Sequence, residues 1–148
     1  MAILSEQTWE RHANPWSGWT RVLSMPALAI GLYLHNVWIL GATIIWLIIN
    51  PMLFPKPKSV DSWMSKGVLG EQRYYKDGKK LKKDLSTLLN ILNVPTFAAF
   101  LYFSWQQEIL AMLFAGLLSM TLKFWFIDRM ARLTDTSVHS GFSHNVRR

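Results

Sequence analysis

Two long apolar stretches with almost no charge alternate with segments that hold every cation of the chain. The 16 lysines and arginines all lie in residues 1–21, 56–84 and 123–148. Residues 22–55 carry no charged side chain, and residues 85–122 carry only Glu108. Uncharged apolar runs of this length are typical of membrane segments. The pattern therefore predicts an integral membrane protein.

The length of each apolar stretch favours two crossings over one. A helix rises about 1.5 Å per residue, and the hydrocarbon core is about 30 Å thick. Residues 22–55 as one straight helix would span roughly 50 Å. Turns at His35-Asn36 and at 104–108 would divide each stretch into a helical hairpin. We therefore predict an all-α integral membrane bundle (residues 1–135) with a polar mobile tail at 136–148. Its four transmembrane helices are expected at about 18–34, 37–50, 82–103 and 107–133, with a short interfacial helix in the inner loop.

The positions of the cations predict the orientation. Short cytoplasmic loops are enriched in Lys and Arg, and neither proposed outer turn contains either residue. With single crossings, the cation-rich segment 56–84 would face outside, against this rule. Two hairpins place all three cationic segments on the cytoplasmic side. We expect a multi-pass protein of the cell (plasma) membrane with both termini in the cytoplasm.

The net charge of +7, read together with the apolar spans, indicates which class of partner the protein binds. Because the cations flank those spans, anionic membrane lipids are expected as partners, and nucleic acid is not. The chain has no cysteine, which excludes disulfides and thiolate metal sites. His12 and His35 would lie on opposite sides of the membrane and could not ligate one ion. We expect neither a cofactor nor a metal.

The polar residues predicted at the cytoplasmic face have two interpretations. Residues 11–17 could be an N-terminal cap that docks on the rim of the bundle. They could instead form a site in an enzyme, with His12 transferring a proton, Arg11 clamping an anion, Asn14 orienting the ligand, and Glu71 or Asp128 acting as base. The side chains expected to contact lipid headgroups are Arg21, Lys66, Arg73, Lys123 and Arg129.

Three further positions predict local structure. Ser17 is a candidate N-cap for the first transmembrane helix. Asn90 and Asn93 lie near the cytoplasmic end of the third, where buried amides can bond a neighbouring helix. We predict that structural role for them in preference to substrate binding.

Residues 11–21, with the sequence RHANPWSGWTR, resemble the N-terminal signature R-H-x-N-P-x-S-x-W-x-R of a family of small four-helix membrane proteins of bacteria and haloarchaea. Segments 50–55, 63–71 and 123–130 resemble its later blocks. The similarity excludes the tail after Asp135. Since the family has no known function, the resemblance implies an architecture and no activity. A weaker similarity to four-helix glutathione-conjugating membrane enzymes rests on residues 11–14 alone and implies none either.

Two functions from different classes remain open on the sequence. The first is a non-catalytic accessory or structural subunit that packs against other membrane proteins or against itself. It is favoured because no nucleophile–base pair, metal-ligand set or nucleotide loop is recognisable. The second is a membrane-embedded enzyme acting on a lipid or amphiphile headgroup at the cytoplasmic interface.

Overall fold

The computed structural model describes residues 6–77 and 84–145, with side chains described for 8–76 and 84–135. Within these ranges the fold is all-α and contains no strand. Its six helices are α1 (Glu6–His12), α2 (Pro15–Tyr33), α3 (Val37–Leu53), α4 (Trp63–Asp77), α5 (Leu85–Trp105) and α6 (Ile109–Asn145). The predicted all-α class is confirmed.

Both hairpin turns end their first helix in the same way. His35 has φ 50° and Gln107 has φ 61°, so each adopts the left-handed conformation that follows a helix C-terminus. The Asn36 amide donates to the Gly31 carbonyl at 2.8 Å, and the Glu108 amide donates to the Phe103 carbonyl at 3.0 Å. These bonds satisfy carbonyls that a helix end leaves unpaired. The turns lie where the sequence predicts them.

Asparagine and aspartate side chains cap the N-termini of α2, α3 and α5. The Asn14 Oδ1 accepts from the Trp16 amide at 3.0 Å, and Pro15 occupies the first turn of α2. The prediction that Ser17 caps this helix is therefore wrong, because Pro15 already has the backbone angle that a first helical residue needs. The Asn36 side chain caps α3 in the same way. The Asp84 side chain caps α5 at the Thr87 amide.

The observed boundaries of several helices differ from the predicted ones. α3 continues to Leu53 through Pro51, and α6 continues to Asn145, so the backbone of 136–145 is helical. Mobility of the tail stays a prediction, since its side chains and residues 146–148 lie outside the described part. The predicted start of the third transmembrane helix, at 82, also lies outside it.

The helices α3, α2, α5 and α6 pack in that order, side by side. Both hairpin turns lie at one end of the fold. There, Gln107 Nε2 donates to the Tyr33 carbonyl at 2.8 Å. The His35 and Trp105 rings pack edge to face, with 4.2 Å between their centroids. At the opposite end, α4 packs on α6 and α2, and α1 packs on α3. In the described residues, α3 and α6 do not pack along each other.

Small residues let α4 approach α6 closely. The buried cluster of Leu89, Leu122, Phe126 and Met130 joins α5 to α6, and Tyr74 of α4 packs against it. A Cβ placed on Gly70 would collide with the backbone of Met130, whose carbonyl carbon would be 2.6 Å away. α4 can therefore lie against the backbone of α6 only with glycine at this position.

Two of the described helices are long and apolar enough to cross a membrane: Leu85–Trp105 and, within α6, Ile109–Asp135. α3 is apolar but has 17 residues. α6 exposes a row of large apolar side chains, among them Leu110 (74% exposed) and Phe114 (76%). Such exposure is unusual for a soluble protein and suits contact with lipid. These features support a membrane location.

Candidate functional site

A cavity of about 420 Å³ lies between the two hairpins, at the end opposite to their turns. All six helices contribute to its wall. Its apolar lining is supplied by Trp9, Val22, Met25, Leu47, Met64, Phe97, Met120, Phe124 and Ile127. The polar side chains in the wall are His12, Arg21, Glu71, Asn93, Ser119 and Lys123.

Two cations and one carboxylate face this cavity from different helices. Lys123 Nζ on α6 lies 3.3 Å from Glu71 Oε1 on α4, and Lys123 also lies 4.8 Å from the Phe126 ring centroid. Arg21 on α2 is close enough to Glu71 for their charges to interact. The Arg21 Nε is buried, yet it has no hydrogen-bond acceptor among the described residues. A buried donor without an acceptor is costly. The guanidinium and the ammonium outnumber the one carboxylate, so this wall suits an anionic ligand.

His12, at the end of α1, lines the cavity. Its side chain is only 4% exposed. Burial, reinforced by the positive charges of Arg21 and Lys123, lowers the pKa of His12 from its ordinary 6.5 to about 3. The imidazole is therefore neutral at physiological pH.

A buried chain of polar side chains lies behind His12. The Ser17 Oγ, which is fully buried, lies 3.5 Å from His12 Nδ1 and donates to Asn50 Oδ1 at 2.7 Å. The Asn50 Nδ2 in turn donates to Thr20 Oγ1 at 2.8 Å. These bonds join α1, α2 and α3 beside the cavity.

The predicted asparagine contacts between helices are present. Ser119 Oγ on α6 donates to Asn93 Oδ1 on α5 at 2.8 Å, and both residues lie in the cavity wall. Asn90 Nδ2 donates to the Tyr75 hydroxyl on α4 at 3.1 Å. Both amides therefore bond a neighbouring helix.

Of the residues predicted for an enzyme site, His12 and Glu71 line the cavity, whereas Arg11 and Asn14 are used to dock the N-terminal segment. The Arg11 Nη1 donates to the Met52 carbonyl at 3.3 Å on the exposed surface. The Asn14 Nδ2 donates to the Pro55 carbonyl at 2.9 Å, while its Oδ1 caps α2. These contacts hold α1 and the start of α2 against the end of α3.

Asp128 lies outside the cavity wall. It accepts from Trp63 Nε1 at 3.2 Å and from Arg132 Nε at 2.8 Å, which ties α4 to α6. The two hydrogen bonds give its carboxylate a structural role in the described structure.

The five predicted headgroup contacts lie in three different environments. Arg21 and Lys123 line the cavity. Lys66 instead pairs with Asp135 at 2.8 Å, and Arg129 Nε donates to the buried Ser86 Oγ at 2.9 Å. Arg73 lies on the exposed side of α4.

No group of three His, Cys, Asp or Glu side chains among the described residues could hold a metal ion. The cavity's donors also suit an anion better than a cation, since a guanidinium and an ammonium repel positive charge.

Comparison with known protein families identifies the family of this chain but not its function. Residues 2–147 match a family described as a family of unknown function, DUF6653. The chain belongs to this family. Neither the curated proteins nor the solved structures gave a match. The resemblance to a family of unknown function is thus confirmed, whereas the N-terminal signature, the membrane character and the taxonomic range of DUF6653 stay predictions.

Proposed function

We propose that this DUF6653 member is a non-catalytic membrane protein that binds the anionic headgroup of an amphiphile in the cavity between its hairpins. The observation that carries the proposal is the excess of positive charge in the cavity wall, where Arg21 and Lys123 face a single carboxylate, Glu71. A guanidinium and an ammonium in one cavity wall support a site for an anionic group.

The charge of the cavity wall supports a ligand with one negative charge. Arg21 and Lys123 together carry two positive charges, Glu71 carries one negative charge, and His12 is neutral. The wall therefore has one uncompensated positive charge. A phosphodiester or a carboxylate would neutralise it, which is favourable in a site of low dielectric constant.

The apolar part of the wall favours an amphiphile over a free anion. Leu47 of α3 and Met120 of α6 both line the cavity, and these two helices do not pack along each other in the described structure. An acyl chain could leave the cavity through this gap into the bilayer. The volume of about 420 Å³ is in the range of small-molecule pockets and suits a headgroup with the first carbons of its chain.

The proposal includes four crossings, with both termini and the cavity on the cytoplasmic side. α2 and α3 would form the first hairpin across the plasma membrane, and the short α3 would require local thinning. The two turns share one end of the fold and lack Lys and Arg, which supports an external position for them.

Single cysteines test this orientation without background, because the natural chain has none. In intact cells, an impermeant thiol reagent is expected to label His35→Cys and to label Lys76→Cys only after permeabilisation. Labelling of position 76 from outside, with position 35 protected, would reject the proposed topology.

Lipid-dependent melting tests the binding function. A ligand bound only by the folded state raises the melting temperature. We expect phosphatidylglycerol to raise the melting temperature of the detergent-solubilised protein above the value with phosphatidylcholine, and Arg21→Gln to remove that difference. Lys56→Gln is the matched control, because Lys56 pairs with Glu10 on the exposed surface outside the cavity. Equal effects of both lipids on the wild type would contradict the proposal.

A second candidate is the enzyme acting on a headgroup, and it is favoured by His12. An anionic headgroup bound beside His12 would raise the pKa of the imidazole from about 3, and proton transfer to His12 requires such a rise. Turnover of a headgroup that His12→Gln lowers by about 100-fold or more would favour this candidate over simple binding. Partner subunits and self-association stay predictions.

A further inference from the structure

The hydrogen-bond chain behind His12 runs in one direction. Thr20 Oγ1 lies 2.7 Å from the Trp16 carbonyl oxygen and 3.3 Å from the Ser17 carbonyl oxygen. Carbonyls cannot donate, so the single hydroxyl hydrogen of Thr20 is donated to these backbone oxygens. The Asn50 atom that faces Thr20 must then be the donor Nδ2, which turns Oδ1 towards Ser17.

The direction of this hydrogen-bond chain favours one neutral tautomer of His12. The Ser17 hydroxyl donates its only hydrogen to Asn50 Oδ1, so it can only accept a hydrogen bond from His12. The 3.5 Å between His12 Nδ1 and Ser17 Oγ is longer than an ordinary hydrogen bond, and the contact favours the tautomer whose Nδ1–H points at the lone pairs of Ser17 Oγ. A neutral ring with Nδ1 protonated has Nε2 as a bare acceptor.

We propose that His12 Nε2 accepts a hydrogen bond from a hydroxyl of the bound headgroup, so that the cavity selects anionic amphiphiles whose headgroup carries a hydroxyl beside the charge. This inference rests on the proposed function and deepens it. His12 lines the cavity, its Nδ1 edge faces Ser17, and Nε2 has no hydrogen-bond partner among the described residues.

Two other acceptor groups of the wall are already in use. Glu71 Oε1 pairs with Lys123, and Asn93 Oδ1 accepts from Ser119. His12 Nε2 is an uncharged acceptor with no partner in this part of the described structure. The anionic group would lie at Arg21 and Lys123, and the hydroxyl would reach the imidazole. A phosphodiester to glycerol has this combination, whereas a fatty-acid carboxylate does not.

Two lipids that differ in the hydroxyl test this selectivity. Phosphatidylglycerol and phosphatidylethanol share the single phosphodiester charge, but only the first has headgroup hydroxyls. With either lipid in phosphatidylcholine vesicles, the wild type is expected to bind phosphatidylglycerol roughly 2- to 10-fold more tightly, the factor that one neutral hydrogen bond supports. His12→Phe is expected to erase this preference while phosphatidylethanol still binds. His35→Asn, which changes the histidine of the distant turn, should keep it.

Each other outcome overturns a different statement. Equal binding of the two anionic lipids by the wild type would reject hydroxyl selection and leave the proposed function standing. A preference that survives in His12→Phe would reject the role of His12. Failure of both lipids to bind better than phosphatidylcholine would reject the proposed function itself.

A direct measurement covers the case in which His12→Phe does not fold. Long-range ¹H–¹⁵N spectra of the wild-type protein with labelled histidine distinguish the two neutral tautomers. Near neutral pH, His12 is expected to show Nδ1 protonated. A spectrum with the proton on Nε2 would overturn the inference, because Nε2 could then not accept a hydrogen bond.

Discussion

Gly70→Ala is expected to lower the free energy of unfolding by about 3 kcal/mol, because the added methyl group would meet the backbone of α6. The nearest atoms belong to the Met130 carbonyl and Cα, which cannot rotate away. The helices would have to separate, and the contacts that α4 makes with α6 would weaken. Thermal melting in detergent measures the loss.

Two other glycines provide graded controls. A Cβ on Gly67 would meet the Ile127 side chain and would lie 3.3 Å from the Ile127 carbonyl oxygen, so it clashes less with the backbone of α6 than a Cβ on Gly70 does. Gly67→Ala is therefore expected to cost less than Gly70→Ala. A Cβ on Gly41 has nothing within 4 Å, and Gly41→Ala should stabilise α3 slightly, by up to about 1 kcal/mol. If Gly70→Ala melted like Gly41→Ala, the close packing of α4 on α6 would be wrong.

The hairpins could be predicted from sequence because their signals are local. Asn36 caps α3, and the uncharged residues around His35 leave the turn as the only break in an apolar run. The sequence predicts the end of this helix at residue 50, because proline commonly terminates a helix, whereas α3 continues to Leu53. Pro51 lies in the last turn of α3, near its end, and the side chain of neighbouring Asn50 bonds Ser17 and Thr20 of α2.

The site was only partly predictable because its residues are distant in the chain. Glu71 and Lys123 are 52 positions apart and meet only through the packing of α4 on α6. The sequence placed Arg21 and Lys123 at the cytoplasmic interface by their charge, but no local pattern distinguishes them from Lys66, which pairs with Asp135. Arg11 and Asn14 have suitable chemistry, yet the backbone of 52–55 uses their donors.

Arg21→Met is expected to raise the stability of the lipid-free protein while it weakens binding of an anionic lipid. Methionine fills a similar volume and removes a buried charged donor that lacks an acceptor. Replacing such a group by an apolar one is expected to stabilise by about 1–2 kcal/mol, since a buried unsatisfied polar group costs about 1–3 kcal/mol. Loss of charge-assisted hydrogen bonds to the ligand should weaken binding about 10- to 100-fold.

Lys123→Met is the informative contrast, because Lys123 forms a direct ion pair with Glu71, whereas Arg21 interacts with Glu71 through its charge and has an unsatisfied Nε. Its loss would leave Glu71 without its 3.3 Å ion pair in the cavity wall, so this variant is expected to lose both stability and lipid affinity. Melting in lipid-free detergent and lipid titration measure the two properties separately. If Arg21→Met instead lost stability along with affinity, Arg21 would be a structural residue like Lys123. If Arg21 is a binding residue, Arg21→Met must raise the stability of the lipid-free protein and lower its affinity for the lipid.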